Sequence, residues 1–297
     1  MKNRSLIIVL GPTAIGKTSV AIDLAKHYKT EIISCDSRQF YKELVIGTAP
    51  PSKEQLKVTK HHFIHNLSVC DDYNAGKFEI DAIKKIEKLF QKNKKLIMVG
   101  GSGLYIDAIS YGIDKTPNIS NQIRKKIINL YDLNGIEFLQ EEIKNKDPMY
   151  FKRVDIQNPQ RLMRALEIIY KTNKPYSSFM KNKKKERDFN IIKIGLKINR
   201  EKLYSRINNR VDNMIKQGLI EEVKSLINYK NKNALQTVGY KEIFEYINGK
   251  LTLDEAIDKI KRNTRRFAKR QITWFNKDKS INYFNPEDLE KIINSIE

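Results

Sequence analysis

The residues Gly11-Pro12-Thr13-Ala14-Ile15-Gly16-Lys17-Thr18 satisfy the pattern G-x-x-x-x-G-K-[ST] at every fixed position. The two glycines let the backbone turn its N–H groups inward as a nest for an anion, and a helix opening at the loop adds its positive end. Lys17 supplies a point charge, and the Thr18 hydroxyl is the group with which such loops hold Mg²⁺. A phosphate or diphosphate therefore binds at residues 11 to 18. The loop leaves open whose phosphate it is, because kinases, ATPases and GTPases use it, and so do enzymes that never touch a nucleoside triphosphate.

What stands beside the loop narrows the chemistry. A triphosphate-hydrolysing enzyme of this type carries an acidic residue at the end of a second apolar strand. Here the corresponding run, "KLIMVGGSGLY", ends in Gly100-Gly101-Ser102-Gly103. Bare amides and one hydroxyl suit contacts to a diphosphate or a backbone better than activation of water. The nearest acid is Asp36, in "SCDSRQFY", at the end of a different strand, where a carboxylate can serve as a general base. His61, His62 and His65 have no cysteine or further histidine to complete a metal site.

These side chains sit at the ends of apolar, β-branched runs: "LIIVLG" (6 to 11), "EIISCD" (31 to 36), "KLIMVGG" (95 to 101) and, later, "NIIKIGLKI" (190 to 198). The first three alternate with helical patterns, which implies a parallel sheet whose ligands collect at the carboxyl ends of its strands. Gly11 to Thr18, Asp36 and Gly100 to Ser102 then share one rim. Between 117 and 188 the strand signal disappears, and helical patterns cover roughly 121 to 131, 135 to 145 and 158 to 171. The last begins at Asn158-Pro159, a capping residue followed by proline at the first helical position. Leu162, Leu166 and Ile169 give it an apolar face, with Arg161 and Arg164 on another. The run "KNKKKERD" (181 to 188) reads as a solvated connection, and the chain after 198 reads as helical. The expected fold is α/β, a phosphate-loop type of parallel sheet flanked by helices over 1–116 and 189–297, with an all-helical insertion domain over 117–188.

Charge points to a polyanionic partner. The 297 residues carry 56 Lys and Arg against 35 Asp and Glu, a formal net charge of +21. Much of it is patterned: in "DKIKRNTRRFAKRQITWF" (258 to 275), Arg262, Arg266, Lys269 and Arg270 line one side at helical spacing, with Lys261 and Arg265 beside them. A basic stripe ending in Trp274 and Phe275 is a footprint for nucleic-acid phosphates. Cys35 and Cys70 are too few for a disulfide framework, which fits a reducing compartment. The opening "MKNRSLIIVLGP" reads as a first strand and not a signal peptide, since Gly11-Pro12 breaks its apolar run and Lys17 follows without a cleavage site. No run approaches the ~18 apolar residues of a membrane helix.

The blocks "GPTAIGKT", "DSRQFY", "IGTAPP", "HHFIH", "VGGSGLY", "NPQRLMRALEI", "GLIEEV", "VGYKE" and "RRFAKRQITWF" occur in the order seen in the tRNA dimethylallyltransferases, also called isopentenyl-diphosphate:tRNA transferases. The resemblance runs from residue 6 to 277 or thereabouts, and several blocks are far more specific than the phosphate loop. It implies transfer of a dimethylallyl group from its diphosphate to N6 of the adenosine 3′ to the anticodon, in tRNAs reading codons that begin with U. It implies Gly11, Pro12, Thr13, Ala14, Ile15, Gly16, Lys17 and Thr18 as the diphosphate pocket, with Mg²⁺ at Thr18. Asp36 matches the family's catalytic aspartate, Ser102 a position more often Thr, and Arg210, in "RINNRVD", its diphosphate-contacting arginine, with Arg206 one helical turn away as the alternative. The implied tRNA contacts are Asp36, Ser37, Arg38, Gln39, Ser102, Arg124, Gln160, Arg161, Leu162, Met163 and Arg164, gripping the anticodon stem-loop. A monomeric cytoplasmic enzyme with no membrane contact is expected. A nucleotide or small-molecule kinase explains the loop and sheet but neither the charge nor the missing acid. A non-catalytic RNA-binding protein leaves Lys17, Thr18 and Asp36 without a purpose.

Overall fold

The computed structural model describes residues 4–181 and 184–297. Two compact units emerge, one formed by residues up to Tyr111 together with Glu186–Glu297, the other by Gly112–Lys185.

Among the described residues, the first unit is built on six strands: β1 (Ser5–Leu10), β2 (Ile32–Ser34), β3 (His61–His62), β4 (Lys95–Gly100), β5 (Asn190–Leu196) and β6 (Ile281–Phe284). All pair in parallel, in the order β3-β2-β4-β1-β5-β6. Helices α1 (Lys17–His27), α2 (Lys53–Val58), α3 (Ala75–Leu89) and α4 (Gly103–Tyr111) belong to the same unit. The other unit holds α5 (Asn121–Lys146), α6 (Pro148–Phe151) and α7 (Pro159–Thr172). The first unit resumes with α8 (Arg200–Lys216), α9 (Leu219–Ser225), α10 (Tyr240–Ile247), α11 (Leu253–Phe275) and α12 (Leu289–Asn294).

The central strands β1 and β4 read as apolar runs, Leu6–Leu10 and Leu96–Val99, because both faces of the sheet are covered there, as parallel sheets require. Along β1 the side chains divide with a period of two: Leu6, Ile8 and Leu10 join Phe40, Phe78 and Tyr240 on one side, while Ile7 and Val9 join Val20, Leu24 and Ile207 on the other. The helices start where the sequence supplies acceptors for their first amides. Asn74 caps α3, Asn158 caps α7 with Pro159 in the first turn, and Thr252 with Glu255 forms a reciprocal capping box at α11.

Three expectations need correction. The chain after 198 is not wholly helical, since Ile281–Phe284 forms β6 against Lys193–Leu196 of β5. Its four residues "INYF" carry too short a pattern to separate from the helices around them. β3 has only two residues and no periodicity to read, yet it extends the sheet beyond β2. The 181 to 188 connection is not uniformly solvated. Arg187 donates to the Ile109 carbonyl (2.8 Å), the Ala108 carbonyl (2.8 Å) and the Glu79 carboxylate (2.9 Å), so a guanidinium ties the returning chain to α3 and α4. Asn182 and Lys183 of that run lie outside the described residues, as do Met1, Lys2 and Asn3 of the opening stretch.

The second unit packs Ile127, Leu139 and Ile143 of α5 against Leu162, Leu166 and Ile169 of α7. α5 is two helical segments, because Gly135 breaks it with φ 73° and ψ −169°. Asp147, almost wholly buried, accepts from the Tyr150 amide (3.0 Å) and from the Ser177 amide (2.7 Å) and hydroxyl (2.8 Å). One carboxylate thereby joins α6 to the segment after α7.

Candidate active site

Residues 11 to 18 leave the carboxyl end of β1, the innermost position open to ligands on that rim. Gly11 (φ 150°), Ala14 (φ 64°) and Gly16 (φ 107°) all have positive φ, the alternation that turns successive amides to one side. Ala14 pays a steric cost there that glycine would not. α1 begins at Lys17 with no side-chain cap at Gly16. Among the described residues, the amides of Ile15, Gly16, Lys17 and Thr18 have no acceptor. Four unpaired donors at a helix N-terminus are an anion site.

The positive side chains converge on the same loop. Lys17 Nζ donates to the Pro12 carbonyl at 2.8 Å, and desolvation pulls its pKa down to about 8, opposed by the Asp36 carboxylate and aided by Arg210. Arg210 Nη1 donates to Thr13 Oγ1 at 3.3 Å; burial lowers its pKa, and Asp36 partly restores it. Arg206 reaches the loop differently, giving Nη1 to the Ile15 carbonyl at 3.1 Å while Nη2 lies 3.7 Å from Glu287. Of the two arginines, Arg206 lies within ion-pair distance of an acid, one it shares with Lys202, and Arg210 has no such partner among the described residues. The Thr18 hydroxyl has no hydrogen-bond partner among the described residues and remains free for a metal ion.

Asp36 follows β2. Its Oδ1 accepts from the Arg38 amide at 3.0 Å, which fixes the carboxylate in a local turn, and its Oδ2 is unoccupied among the described residues. Ser102, at the start of α4, accepts from the Ser37 amide (3.0 Å) and donates to the Ser37 hydroxyl (3.1 Å). The β2 and β4 ends are thus joined next to the carboxylate. Arg38 gives Nη1 to the Asn233 carbonyl at 2.7 Å, and Gln39 gives its amide to the Thr48 and Ala49 carbonyls (3.2 and 3.1 Å). The loop that receives Gln39 is itself held by Glu222, whose carboxylate accepts from the amides of Val45, Ile46 and Gly47 and from the Tyr240 hydroxyl.

The remaining site residues belong to the second unit. Arg124 and Arg164 both pair with the buried Glu167, at 3.3 and 3.1 Å, and Arg164 also reaches Thr116 (3.0 Å). Gln160 and Arg161 are exposed at the start of α7. Leu162 is fully buried in that unit's core and Met163 packs against it, so neither offers a free side chain to a partner as the exposed residues do.

The basic stripe separates into two classes. Lys261 pairs with Asp212 (2.7 Å) and Arg265 donates to Asn208 (2.7 Å), both serving α8. Arg262, Arg266, Lys269 and Arg270 are exposed and have no acidic partner among the described residues. Trp274 is neither core nor a free platform: its Nε1 donates to Asp107 (3.0 Å) and its ring covers Gly103, where a Cβ would come within 2.5 Å. Tyr105 and Phe63 pack with Phe40 and Phe78. His62 bonds Glu31 at 2.6 Å, and His61 Nδ1 lies 2.8 Å from the Thr59 carbonyl.

One residue at the loop escaped sequence reasoning. Gln271 of α11 is buried, and its carboxamide accepts from the Thr13 amide at 2.9 Å and donates to the Gly101 carbonyl at 2.8 Å. The available signal was a polar residue on the apolar face that Ile260, Ala268 and Phe275 define.

Among known proteins, the IPP transferase family matches residues 39–278. The chain is 53% identical to a tRNA dimethylallyltransferase of Christiangramia forsetii over 97% of its own length and 95% of the relative's. It is 50% identical to that of Flavobacterium johnsoniae, covering 98% and 96% of the two chains. Among solved structures, the full-length tRNA isopentenylpyrophosphate transferase of Bacillus halodurans superposes with TM-score 0.73 at 33% identity, covering 99% of this chain and 95% of that one. A eukaryotic dimethylallyltransferase, captured crystallographically acting on tRNA, gives TM-score 0.80 at 26% identity over 97% of this chain and 75% of its own. With a matching family over most of its length and relatives of this identity along nearly all of it, the chain belongs to the tRNA dimethylallyltransferase family, the IPP transferases.

Proposed function

We propose that the chain transfers the dimethylallyl group of dimethylallyl diphosphate to N6 of the adenosine 3′-adjacent to the anticodon, in tRNAs reading codons that begin with U. The N6–C bond forms as the allylic C–O bond breaks; diphosphate departs and the N6 proton goes to Asp36. The observation that carries this reading is the pairing of an anion nest with a carboxylate: Asp36 acts electrostatically on both Lys17 and Arg210, while the end of β4 offers only glycine and Ser102.

Charge grows on the leaving group as the bond breaks, and donors fixed before the reaction oppose it without reorganising. The amides of residues 15 to 18, Lys17 and Arg210 supply them. Thr18 and the diphosphate oxygens would hold Mg²⁺, which adds positive charge to the leaving group when bound. Asp36 presents Oδ2 to the incoming amine while Oδ1 stays with the Arg38 amide, so accepting the proton does not release the side chain. Ser102 holds Ser37 and hence the Asp36 turn in place.

A base within an anticodon loop must leave its stack to be alkylated. The tRNA-binding set comprises Asp36 to Gln39 and Ser102 of the sheet unit, and Arg124, Gln160, Arg161 and Arg164 of the helical unit, with Leu162 and Met163 anchoring their helix in that unit's core. The unpaired cations of α11 fit the phosphate backbone. No helix among the described residues is long and apolar enough to cross a membrane, and we place the reaction in the cytoplasm with the chain acting as a monomer. Mass spectrometry of nucleosides from tRNA incubated with the protein, Mg²⁺ and dimethylallyl diphosphate tests the whole reading. N6-(dimethylallyl)adenosine is expected; its absence, or calorimetric binding of ATP in preference to the isoprenoid donor, sinks it.

A further inference from the structure

The two backbone groups that Gln271 touches have opposite polarity. Thr13 N–H belongs to the phosphate loop and Gly101 C=O to the turn after β4, and the carboxamide bonds one with each end. A carbonyl oxygen free to turn into an anion pocket would repel the ligand that the loop amides attract. Space confirms how tightly the three parts meet: a Cβ at Gly101 would lie 2.5 Å from Gln271 Nε2, 3.4 Å from the Gly11 carbonyl and 3.5 Å from Lys17 Nζ. Thr13 is also the residue whose hydroxyl accepts from Arg210. Its amide and hydroxyl are therefore both spoken for, leaving the later amides of the loop to the ligand.

The structure assigns Gln271 the role of a positioning residue, whose carboxamide holds the Gly101 carbonyl away from the diphosphate and locks Thr13 so that the loop presents only donors. This deepens the diphosphate reading of the same site and rests on it for the identity of the anion. Gln271 touches neither reacting atom. It also lies on the buried side of α11, opposite the exposed Arg266, Lys269 and Arg270, so its effect is confined to the donor side.

Two full-length variants test it by calorimetric titration with inorganic pyrophosphate and Mg²⁺. Gln271→Met removes both hydrogen bonds at similar volume; Gln271→Glu keeps the shape but places a carboxylate against the Gly101 carbonyl. The expected order of pyrophosphate affinity is Gln above Met above Glu, with about a tenfold loss for Met and tRNA affinity by filter binding within about twofold of the parent. A residue that merely supports the fold would lose pyrophosphate and tRNA affinity together in both variants. Pyrophosphate affinity unchanged in both variants, Glu better than Met, or parallel losses of pyrophosphate and tRNA affinity would each overturn the assignment. If Gln271→Met does not fold, the Glu variant still decides through the selectivity of its loss. Should the parent form no prenylated adenosine while the order Gln, Met, Glu holds, the transfer reading fails and the positioning role stands.

Discussion

Asp36 and Lys17 have opposite chemical tasks at the same rim. A carboxylate takes up the N6 proton, and an ammonium opposes the charge of the leaving group. Asp36→Ala should lower turnover by about 10² to 10⁴-fold with tRNA binding largely retained; single-turnover assays at saturating substrates measure it, and near-normal turnover would remove Asp36 from the base role. Lys17 carries the reverse burden, because desolvation brings its pKa from 10.5 to about 8. The unfolded chain thus holds more protons than the native one between pH 8 and 10.5, so this group's contribution to stability rises with pH across that window and is unfavourable below it. Ligand affinity runs the other way, since an anion needs the ammonium. Pyrophosphate binding measured from pH 7 to 9 should weaken as pH rises through about 8, relative to a Lys17→Met variant that lacks the titrating group. Parallel pH profiles for the two proteins would contradict this.

At the scale of elements, the site depends on how closely the end of β4 approaches the end of β2. A Cβ on Gly100 would fall 2.0 Å from the Cys35 carbonyl, a backbone atom that cannot rotate aside. Gly100→Ala should therefore separate the strands that carry Ser102 and Asp36, costing about 1–3 kcal/mol and lowering the melting temperature by several degrees. An unchanged melting curve and turnover would show that the rim tolerates the displacement. What could be read from the chain follows the same logic of pattern length. β1 and β4 were legible because burial on both faces leaves five and four large apolar residues in a row, β5 because isoleucines flank its single lysine, and α7 because an Asn-Pro start precedes a clean apolar stripe. β3 and β6 were not, since two or four residues define no period. Lys17, Thr18 and Asp36 stand in local motifs, whereas Gln271 acts through partners 170 and 258 residues away and Arg187 through partners 78 to 108 residues away. Separations of that size leave no trace in local spacing.

Over the whole molecule, the charge of +21 is a statement about RNA. Most surface lysines and arginines will add only diffuse attraction, but the four unpaired cations of α11 form one ordered face. Arg266→Glu and Lys269→Glu should each weaken tRNA binding at every salt concentration tested. Each should also flatten the slope of log affinity against log salt by about one, as read by filter binding between low and moderate salt. A parental slope near zero would deny the phosphate contacts altogether. The sheet order has a further consequence, for how the protein comes into being. β1 lies between β4 and β5, and β5 is synthesised only after the helical unit has been made. Until then one edge of the strand that carries the phosphate loop lacks its neighbour, and Arg210 and Gln271 do not yet exist in the chain. A ribosome-bound fragment ending before residue 190 possesses the phosphate-loop motif and its β4 neighbour, but not β5 or the Arg206, Arg210 and Gln271 side chains that bond to the loop. The loop is written first and finished last, so pyrophosphate binding by a stalled nascent chain reports completion of the sheet, not the presence of the motif.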